Sequence, residues 1–283
     1  MMNSPIHLTD EEFNLDSSGD RHLLIHIADQ SYSCAIIDKE RSRLGVVVKK
    51  KFGQQAGSMN SSEKLEIILS DNGYLKQDFQ SVKISVETTA FTFVPEELYS
   101  DDDLPQYTKF MGASPDSVVL SSNIRPYGIA NICAIDAAFG SKLRSVFRDP
   151  LIVSQANPFI AGIYSRIISG NPSGLFLNCC TDRFEAAVVQ SGTLEFYNIF
   201  RTRTTDEFNY YLLSLISQLA LDRSMAVTLS GEIQQEDENF MRLSKYFDNI
   251  SFSDSRIMRN GSDVFKRLPS HEFFSLMSLD LCE

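Results

Sequence analysis

The chain has 283 residues, of which 43% are hydrophobic and 22% are charged, and this balance is typical of a globular protein with a buried core. Its 37 acidic and 26 basic residues give a net charge of -11, which argues against nucleic acid or anionic lipid as the main partner because phosphate groups repel an acidic surface. No apolar run reaches the ~20 residues of a membrane span, so we expect no nucleic acid partner and no membrane span.

The polar and acidic residues 1–20 lack the basic and apolar regions of a signal peptide. The five cysteines form no CxxC pair, which is typical of reduced thiols, and we therefore expect a cytoplasmic protein. Cys179 and Cys180 are adjacent in a predicted strand and point to opposite faces, so they are not expected to bind one metal ion. The sequence predicts no metal site, and we interpret the basic run Lys49–Lys51 as a solvated strand end.

The first half of the chain predicts three consecutive strands followed by alternating helices and strands. The run Val46–Val48 is β-branched and apolar, as in a strand, and Asn72-Gly73 is expected to end a helix. Residues 90–135 interrupt the alternation as an insertion, with strand patterns at 91–94, 118–120 and 128–135 and a helix start at Pro95. The other predicted elements are strands at 22–29, 32–38, 43–52, 82–87 and 151–154 and helices at 61–72, 137–147 and 158–168.

The segment Gly170-Asn171-Pro172-Ser173-Gly174 is the clearest break in the chain. Three strands follow it, with Ser191-Gly192 as the turn between the last two. Thr204 with Glu207 three residues later forms a capping box, which predicts the start of a long helix. The predicted elements are strands at 175–180, 184–190, 194–200, 226–229 and 250–252 and helices at 205–221, 235–247 and 271–279.

Both halves therefore follow one order: three strands, a helix, a strand, a helix, a strand and a helix. Residues 27–37 can be laid on residues 179–189, where an aromatic residue and a small-then-apolar ending coincide. This order, used twice, resembles the fold shared by actin, the Hsp70 chaperones and the sugar kinases. The resemblance implies an α/β protein with two ribonuclease H-like lobes and mixed five-stranded sheets, in a divergent bacterial family of unknown function. The lobes would be residues 1–168, with the insertion, and residues 169–283, as in an internal duplication.

The most specific resemblance is the segment Gln155–Tyr164. It resembles the helix between the lobes of chaperone-type members, which begins Asn-Glu-Pro and continues with small residues and a Tyr. The resemblance implies an inter-lobe hinge, and the alternative is an ordinary helix with Pro in its first turn. The hinge residues would be Asn157, Pro158, Ala161 and Gly162.

The phosphate-binding turns of the family read Asp-x-Gly followed by a hydroxyl residue. In the first turn Asp29 fits the acidic position, Ser31 stands at the glycine and Ser33 offers a hydroxyl. In the second turn Thr181 replaces Asp and Arg183 replaces Gly. After a later strand, Gly231 corresponds to one of the paired glycines of the family's adenosine turn. The resemblance thus implies a degraded nucleotide site at these six residues.

The position of the chaperones' Glu is held by Asn157, and an amide cannot act as a base. The altered positions lead us to expect no catalytic residues and a non-catalytic scaffold or adaptor, similar to the actin-like platform proteins of pilus assembly and secretion. The insertion, with Glu96, Glu97 and the run Asp101–Asp103, is the expected partner surface, and the alternative there is a solvated loop. The alternative function is a divergent ATPase or small-molecule kinase that binds Mg-ATP through Asp29.

Overall fold

The computed structural model describes residues 5–13, 21–38, 43–53, 55–168, 170 and 173–283, so parts of the polar N-terminus and residues 171 and 172 of the predicted break lie outside the described residues. The first elements are β1 (Ile6–Thr9), β2 (Arg21–Ile27), β3 (Ser31–Asp38), β4 (Arg43–Lys51), α1 (Ser61–Asp71), β5 (Ser81–Val86), β6 (Phe91–Pro95), α2 (Leu104–Phe110), β7 (Ser117–Ile124) and β8 (Ile129–Asp136). The later elements are α3 (Ala137–Val146), β9 (Leu151–Ser154), α4 (Ala156–Ile168), β10 (Gly174–Cys179), β11 (Arg183–Gln190), β12 (Thr193–Arg201), α5 (Thr205–Gln218), β13 (Ala226–Gly231), α6 (Glu238–Leu243), β14 (Asn249–Phe252), α7 (Arg256–Arg259), α8 (Asp263–Lys266) and α9 (Phe274–Ser278).

The first sheet has six strands in the order β1-β4-β3-β2-β5-β9. The consecutive strands β2, β3 and β4 pair antiparallel. In contrast, β5 pairs parallel with β2 on one side and with β9 on the other, because the connections between these strands contain helices. Five of these strands were predicted. The sixth, β1, adds to the edge of β4, and its four residues, alternately half-buried and exposed, were too short a pattern to indicate a strand.

One face of this sheet carries an apolar core beneath α1 and α3. Leu23, Ile25 and Ile27 alternate along β2 and reach this core, where Leu65 of α1 and Phe139 of α3 meet them. Burial of such side chains stabilises the fold by about 1.5–3 kcal/mol each. The core therefore fixes the end of β2, and with it the turn that follows.

The start of α1 is fixed by a capping box. The side chain of Asn60 accepts the backbone N–H of Glu63, and the side chain of Glu63 accepts the N–H of Asn60. Asn60, rather than the neighbouring Ser61 or Ser62, therefore caps this helix, because Asn60 and Glu63 satisfy each other's groups. With the helix starting at Ser61, Lys64 falls on its buried face.

The insertion forms a three-stranded antiparallel sheet in the order β6-β8-β7. The strands predicted at 118–120 and 128–135 are confirmed as parts of β7 and β8, which pair antiparallel with Val118 opposite Ile135. Val118 and Leu120 pack against the core of the first sheet. In contrast, the chain between β6 and β7 has no buried residue from Glu96 to Phe110.

The second sheet has the order β12-β11-β10-β13-β14, which repeats β4-β3-β2-β5-β9 with the same strand directions. Its core includes Leu175, Leu177 and Phe184 from the sheet and Phe208 and Leu212 from α5. The predicted α/β class with two mixed sheets of one topology is therefore confirmed. An origin by duplication stays a prediction.

Several helix boundaries in the second half differ from the sequence prediction. α5 begins with the expected capping box of Thr204 and Glu207. The helix predicted at 235–247 is shorter in the structure, where α6 ends at Leu243. After it the chain forms a tighter turn, in which the Lys245 N–H donates to Arg242 O. The expected helix at 271–279 is a 3-10 turn, Ser270–Phe273, followed by α9.

The chain divides into two compact units within α4. One unit holds the described residues up to Ala161 together with 256–268 and 276–283, and the other holds 162–255 and 269–275. In the first unit, Lys83 Nζ donates to the carbonyl oxygens of Asp280 and Cys282 at 2.7 and 2.6 Å, which fastens the last residues to β5. The lobe boundary after residue 168 stays a prediction.

Within the described residues, no helix has the length and apolar character needed to cross a membrane.

Candidate functional site

The first candidate turn joins β2 to β3. The N–H of Ala28 donates to Ser31 O at 2.9 Å, and the N–H of Phe52 donates to Gln30 O at 3.0 Å. None of residues 28–31 has a positive φ, so the turn does not need glycine for its backbone conformation. Ser31 is therefore accommodated without strain at the position where the family's pattern has glycine.

Both charged groups around Asp29 come from distant elements. The backbone N–H of Asp29 donates to Glu87 Oε2 at 2.7 Å, and its carboxylate oxygen Oδ1 accepts from Lys64 Nζ at 3.0 Å. Glu87 is the first residue after β5, and its own N–H donates to Ile27 O at 2.9 Å. A carboxylate thus lies where the turn offers an N–H to an anion, and an ammonium group lies where Asp29 offers a carboxylate to a cation.

The cation in this arrangement is almost fully buried. The side chain of Lys64 is 7% exposed, whereas that of Asp29 is 58% exposed. The ammonium also lies 5.8 Å from the centre of the Phe52 ring, within range of a cation–π interaction. Since a buried charge is costly unless it is paired, the link to Asp29 is part of what keeps Lys64 in place.

The second candidate turn joins β10 to β11 with the same backbone hydrogen bonds. The N–H of Cys180 donates to Arg183 O at 2.8 Å, and the N–H of Thr202 donates to Asp182 O at 2.8 Å. The Thr181 hydroxyl donates to Glu232 Oε2 at 2.7 Å. The aligned segments of the two halves therefore form turns of one geometry.

Glu87 and Glu232 hold equivalent positions, which the sequence analysis missed. Each follows a strand that pairs parallel with the first strand of the hairpin, and the N–H of Glu232 donates to Cys179 O at 2.6 Å as that of Glu87 does to Ile27 O. In each turn the glutamate carboxylate accepts a hydrogen bond from the residue in the acidic position of the pattern. The sequence carries a signal for this pair, since Glu87 ends the strand predicted at 82–87 and Glu232 lies three residues after the strand predicted at 226–229.

Gly231 is required by backbone packing. Its φ is +80°, and a Cβ at this position would lie 2.1 Å from Cys179 O and 2.7 Å from Asn178 Oδ1. No other residue fits this approach of β13 to β10. The glycine is thus explained without a ligand, and its role in nucleotide binding stays a prediction.

Ser33 and Arg183, two further predicted site residues, are buried. Ser33 is 9% exposed within β3, opposite His26 in register. Arg183 is 5% exposed, and its Nη1 lies 3.8 Å from Asp182 Oδ1. Neither side chain projects into solvent from its turn, so a phosphate contact by either residue stays a prediction.

Asn157 is engaged in a buried polar network of the first unit. Its Oδ1 accepts from Asn131 Nδ2 at 2.5 Å, and its Nδ2 donates to Ser122 Oγ at 2.7 Å. Because Asn131 and Ser122 belong to the insertion sheet, the amide of Asn157 joins that sheet to the start of α4. Pro158, Ala161 and Gly162 lie within the same helix, and their role as a hinge stays a prediction.

A buried carboxylate, Glu185, lies two residues after Arg183. The side chain is 1% exposed; its Oε1 accepts from Asn178 Nδ2 at 2.8 Å and its Oε2 accepts from Tyr197 O–H at 2.6 Å. These donors fix the carboxylate inside the sheet, so it acts as a structural group. Among the described residues, no group of three His, Cys, Asp or Glu side chains is placed to hold a metal ion.

The chain is similar to one family of proteins and to solved structures of one fold. The sequence model of a family described as "Protein of unknown function (DUF3822)" matches residues 10–250, and no curated protein matches the chain. A Bacteroides thetaiotaomicron VPI-5482 protein with an actin-like ATPase fold and unknown function is similar with a TM-score of 0.79 at 18% identity, over 96% of this chain and 99% of that one. A chain of the PilM-PilN type IV pilus biogenesis complex is similar with a TM-score of 0.59 at 9% identity, over 92% and 97%. At these identities the likeness shows the fold alone, and it confirms the actin-like architecture.

Proposed function

Because the chain belongs to the DUF3822 family of proteins of unknown function, we propose its function from the site itself: it is a non-catalytic actin-like scaffold or adaptor. Its two phosphate-type turns are retained as structure, without a nucleotide as their ligand. The protein acts in the cytoplasm through contacts with other proteins, and it has no catalytic residues.

The observation that carries this proposal is that both turns have a carboxylate of the chain itself at their donor groups. Glu87 accepts the N–H of Asp29, and Glu232 accepts the hydroxyl of Thr181. A phosphate entering either turn would meet a fixed negative charge and would have to compete for a donor that is already bonded. A glutamate bonded at each turn, to a backbone N–H in the first and to a hydroxyl in the second, supports loss of the nucleotide in both halves.

The neighbourhood of Asp29 supports the same conclusion for a metal ion. Its carboxylate is bonded to Lys64, whose side chain is 7% exposed. A hydrated Mg²⁺ at Asp29 would be placed beside that ammonium group, where like charges repel. Asn157 has an uncharged amide, which cannot compensate the charge of a metal ion, and this amide is already hydrogen-bonded within the buried network.

Protein partners are favoured by two observations. One similar structure of this fold is a complex of PilM with PilN, and the insertion presents an acidic, unburied stretch at Glu96–Phe110. The cytoplasmic location is supported by the absence of disulfides among Cys34, Cys133, Cys179, Cys180 and Cys282.

A divergent Mg-ATP-dependent ATPase or small-molecule kinase is the second candidate. The observation in its favour is that the side chain of Asp29 is 58% exposed and can still be reached from solvent. Its carboxylate would have to exchange Lys64 for a metal ion before it could contribute.

Calorimetric titration with ATP, with and without Mg²⁺, tests the proposal. We expect no binding at millimolar nucleotide for the wild type. Mg²⁺-dependent binding that is lost in Asp29→Ala and kept in Asp78→Ala, a matched change at an exposed aspartate, would establish the ATPase candidate instead.

A further inference from the structure

The insertion exposes two large apolar side chains on the stretch between β6 and β7. Phe110 is 94% exposed and Leu98 is 66% exposed. We call residues 96–110 the insertion surface. Since no residue of this surface is buried, its apolar side chains do not contribute to the core, and exposed apolar groups that are grouped together mark interaction sites.

Local contacts hold the insertion surface in one shape. The rings of Tyr99 and Tyr107 stack with centroids 6.4 Å apart, and Tyr107 O–H donates to Leu98 O at 3.4 Å. Tyr107 and Phe110 are three residues apart on α2 and therefore neighbours on the helix. Tyr107 therefore links Phe110 on the helix to the segment that carries Leu98 and Tyr99.

The insertion surface is attached to the sheet of the insertion by polar groups. The N–H of Glu96 donates to Gly128 O at 2.8 Å, and Asn123 Nδ2 donates to Glu96 Oε1 at 3.0 Å. The side chain of Ser100 accepts the N–H of Asp102 at 3.3 Å. The apolar side chains are therefore presented by an ordered segment.

The charge of the insertion surface is strongly one-sided. It contains five carboxylates, at Glu96, Glu97 and Asp101–Asp103, and a single cation at Lys109. A ligand with positive charge is attracted to such a field, and a ligand with negative charge is repelled. Exposed apolar side chains occur elsewhere, at Tyr210 on α5 and Met241 on α6, but there Asp206 of α5 is paired with Arg242 of α6.

We propose that the insertion surface binds a basic amphipathic segment of a partner protein, with Phe110 and Leu98 as the apolar contacts and the carboxylates as the partners of its Lys or Arg side chains. This inference deepens the proposed scaffold function and rests on it, since it names the class of partner. The apolar contacts supply affinity through burial, and the carboxylates select the sign of the partner's charge.

Fluorescence anisotropy with a labelled lysine–leucine peptide that forms an amphipathic helix tests the proposal on the full chain. We expect Phe110→Ser and the triple variant Asp101→Asn, Asp102→Asn and Asp103→Asn each to weaken binding by about tenfold or more. Tyr210→Ser is the matched control for an exposed aromatic residue and should bind as the wild type does. A glutamate–leucine peptide and a lysine–serine peptide should bind more weakly than the lysine–leucine peptide.

Three results would overturn the inference. The wild type could fail to bind the peptide at millimolar concentration, Phe110→Ser could bind as tightly as Tyr210→Ser, or sedimentation could show a dimer of this chain that Phe110→Ser dissolves, so that a second copy covers the surface. Circular dichroism of each variant checks that the fold is retained. If Mg-ATP binds and the peptide still binds to the insertion surface, the non-catalytic assignment fails and the inference about the partner holds. If neither Mg-ATP nor the peptide binds, only the inference about the partner fails.

Discussion

Lys64 Nζ lies 3.0 Å from Asp29 Oδ1 and joins a side chain that is 7% exposed to one that is 58% exposed. The two residues depend on the pair to different degrees. The buried ammonium group of Lys64 needs the carboxylate to offset its charge, whereas the carboxylate of Asp29 can be solvated by water. The consequence is that Asp29, which looks like a remnant of a ligand site, has a structural role in this chain.

Removal of Asp29 should therefore destabilise the fold. We expect Asp29→Ala to lower the free energy of unfolding by about 1–3 kcal/mol, since it leaves a buried ammonium group without its carboxylate. Lys64→Met should largely restore stability in the double variant, because a side chain of similar length then fills the same space without charge. Chemical denaturation of the wild type, both single variants and the double variant gives the coupling energy. Additive effects of the two changes would contradict the pairing.

Removal of Glu87 should open the first turn to an external anion. We expect Glu87→Ala to lose about 1 kcal/mol from the missing acceptor of the Asp29 N–H, and to gain stability from added phosphate, which binds the vacated donor. The melting temperature in phosphate and in chloride at equal ionic strength measures this. The exposed Glu97→Ala is the control. If phosphate raised the melting temperature equally in both variants, the Glu87 carboxylate would not be what keeps an external anion from the Asp29 N–H.

Acid should weaken the attachment of β1 through Asp10. Burial raises the pKa of this carboxyl, but the hydrogen bonds from Arg43 and the N–H of Glu12, with the charge of Arg43, outweigh burial and hold the pKa below its ordinary value of 3.8. Arg43 donates to both oxygens, at 2.6 and 2.8 Å. A lowered pKa contributes stability above the ordinary value, and this stability is lost as the pH falls through the folded-state pKa.

The unfolding free energy of the wild type should thus fall more between about pH 6 and pH 2 than that of Asp10→Asn. Denaturation curves across this range compare the two proteins. Asp10→Asn should be the less stable at neutral pH, and the difference should shrink in acid. Parallel pH profiles would show that Asp10 does not contribute in this way.

Thiol chemistry should single out Cys180. Burial raises the pKa of the Cys34, Cys133 and Cys282 thiols to about 12 and raises that of Cys179 as well, so these thiols are protonated at neutral pH and shielded from reagents. Cys180 alone of the five is only partly buried. We expect one thiol to react in the native protein and five after denaturation, and Cys180→Ser to remove the native reaction. Fast reaction of a second thiol would contradict the packing around the sheets.

The sequence located much of the fold because its hairpin strands are short apolar runs, rich in β-branched residues and bounded by turn residues. The family's pattern placed Asp29 and Thr181 in the two turns, where both lie, although the strand predicted at 22–29 ends earlier, at Ile27. The capping box of Thr204 and Glu207 could also be predicted from the sequence, because the two residues are only three positions apart.

The partners of the turns could not be predicted in the same way. Lys64 and Glu87 lie 35 and 58 residues from Asp29 along the chain, and their contacts depend on strand register and on the rotation of α1. Lys64 also contradicts the usual rule that lysines face solvent. Gly231 was assigned to a ligand because a glycine after a strand fits the family's pattern, while its cause, the close approach to Cys179 O, is visible only in three dimensions.

Phosphate release from Mg-ATP is the measurement that tests the non-catalytic assignment most directly. The account predicts that purified wild-type protein releases phosphate no faster than Asp29→Ala at saturating Mg-ATP, and that neither exceeds the rate without protein. Release that requires Mg²⁺, persists in Asp78→Ala and is abolished in Asp29→Ala would contradict it, and would show that Asp29 exchanges Lys64 for a metal ion during turnover.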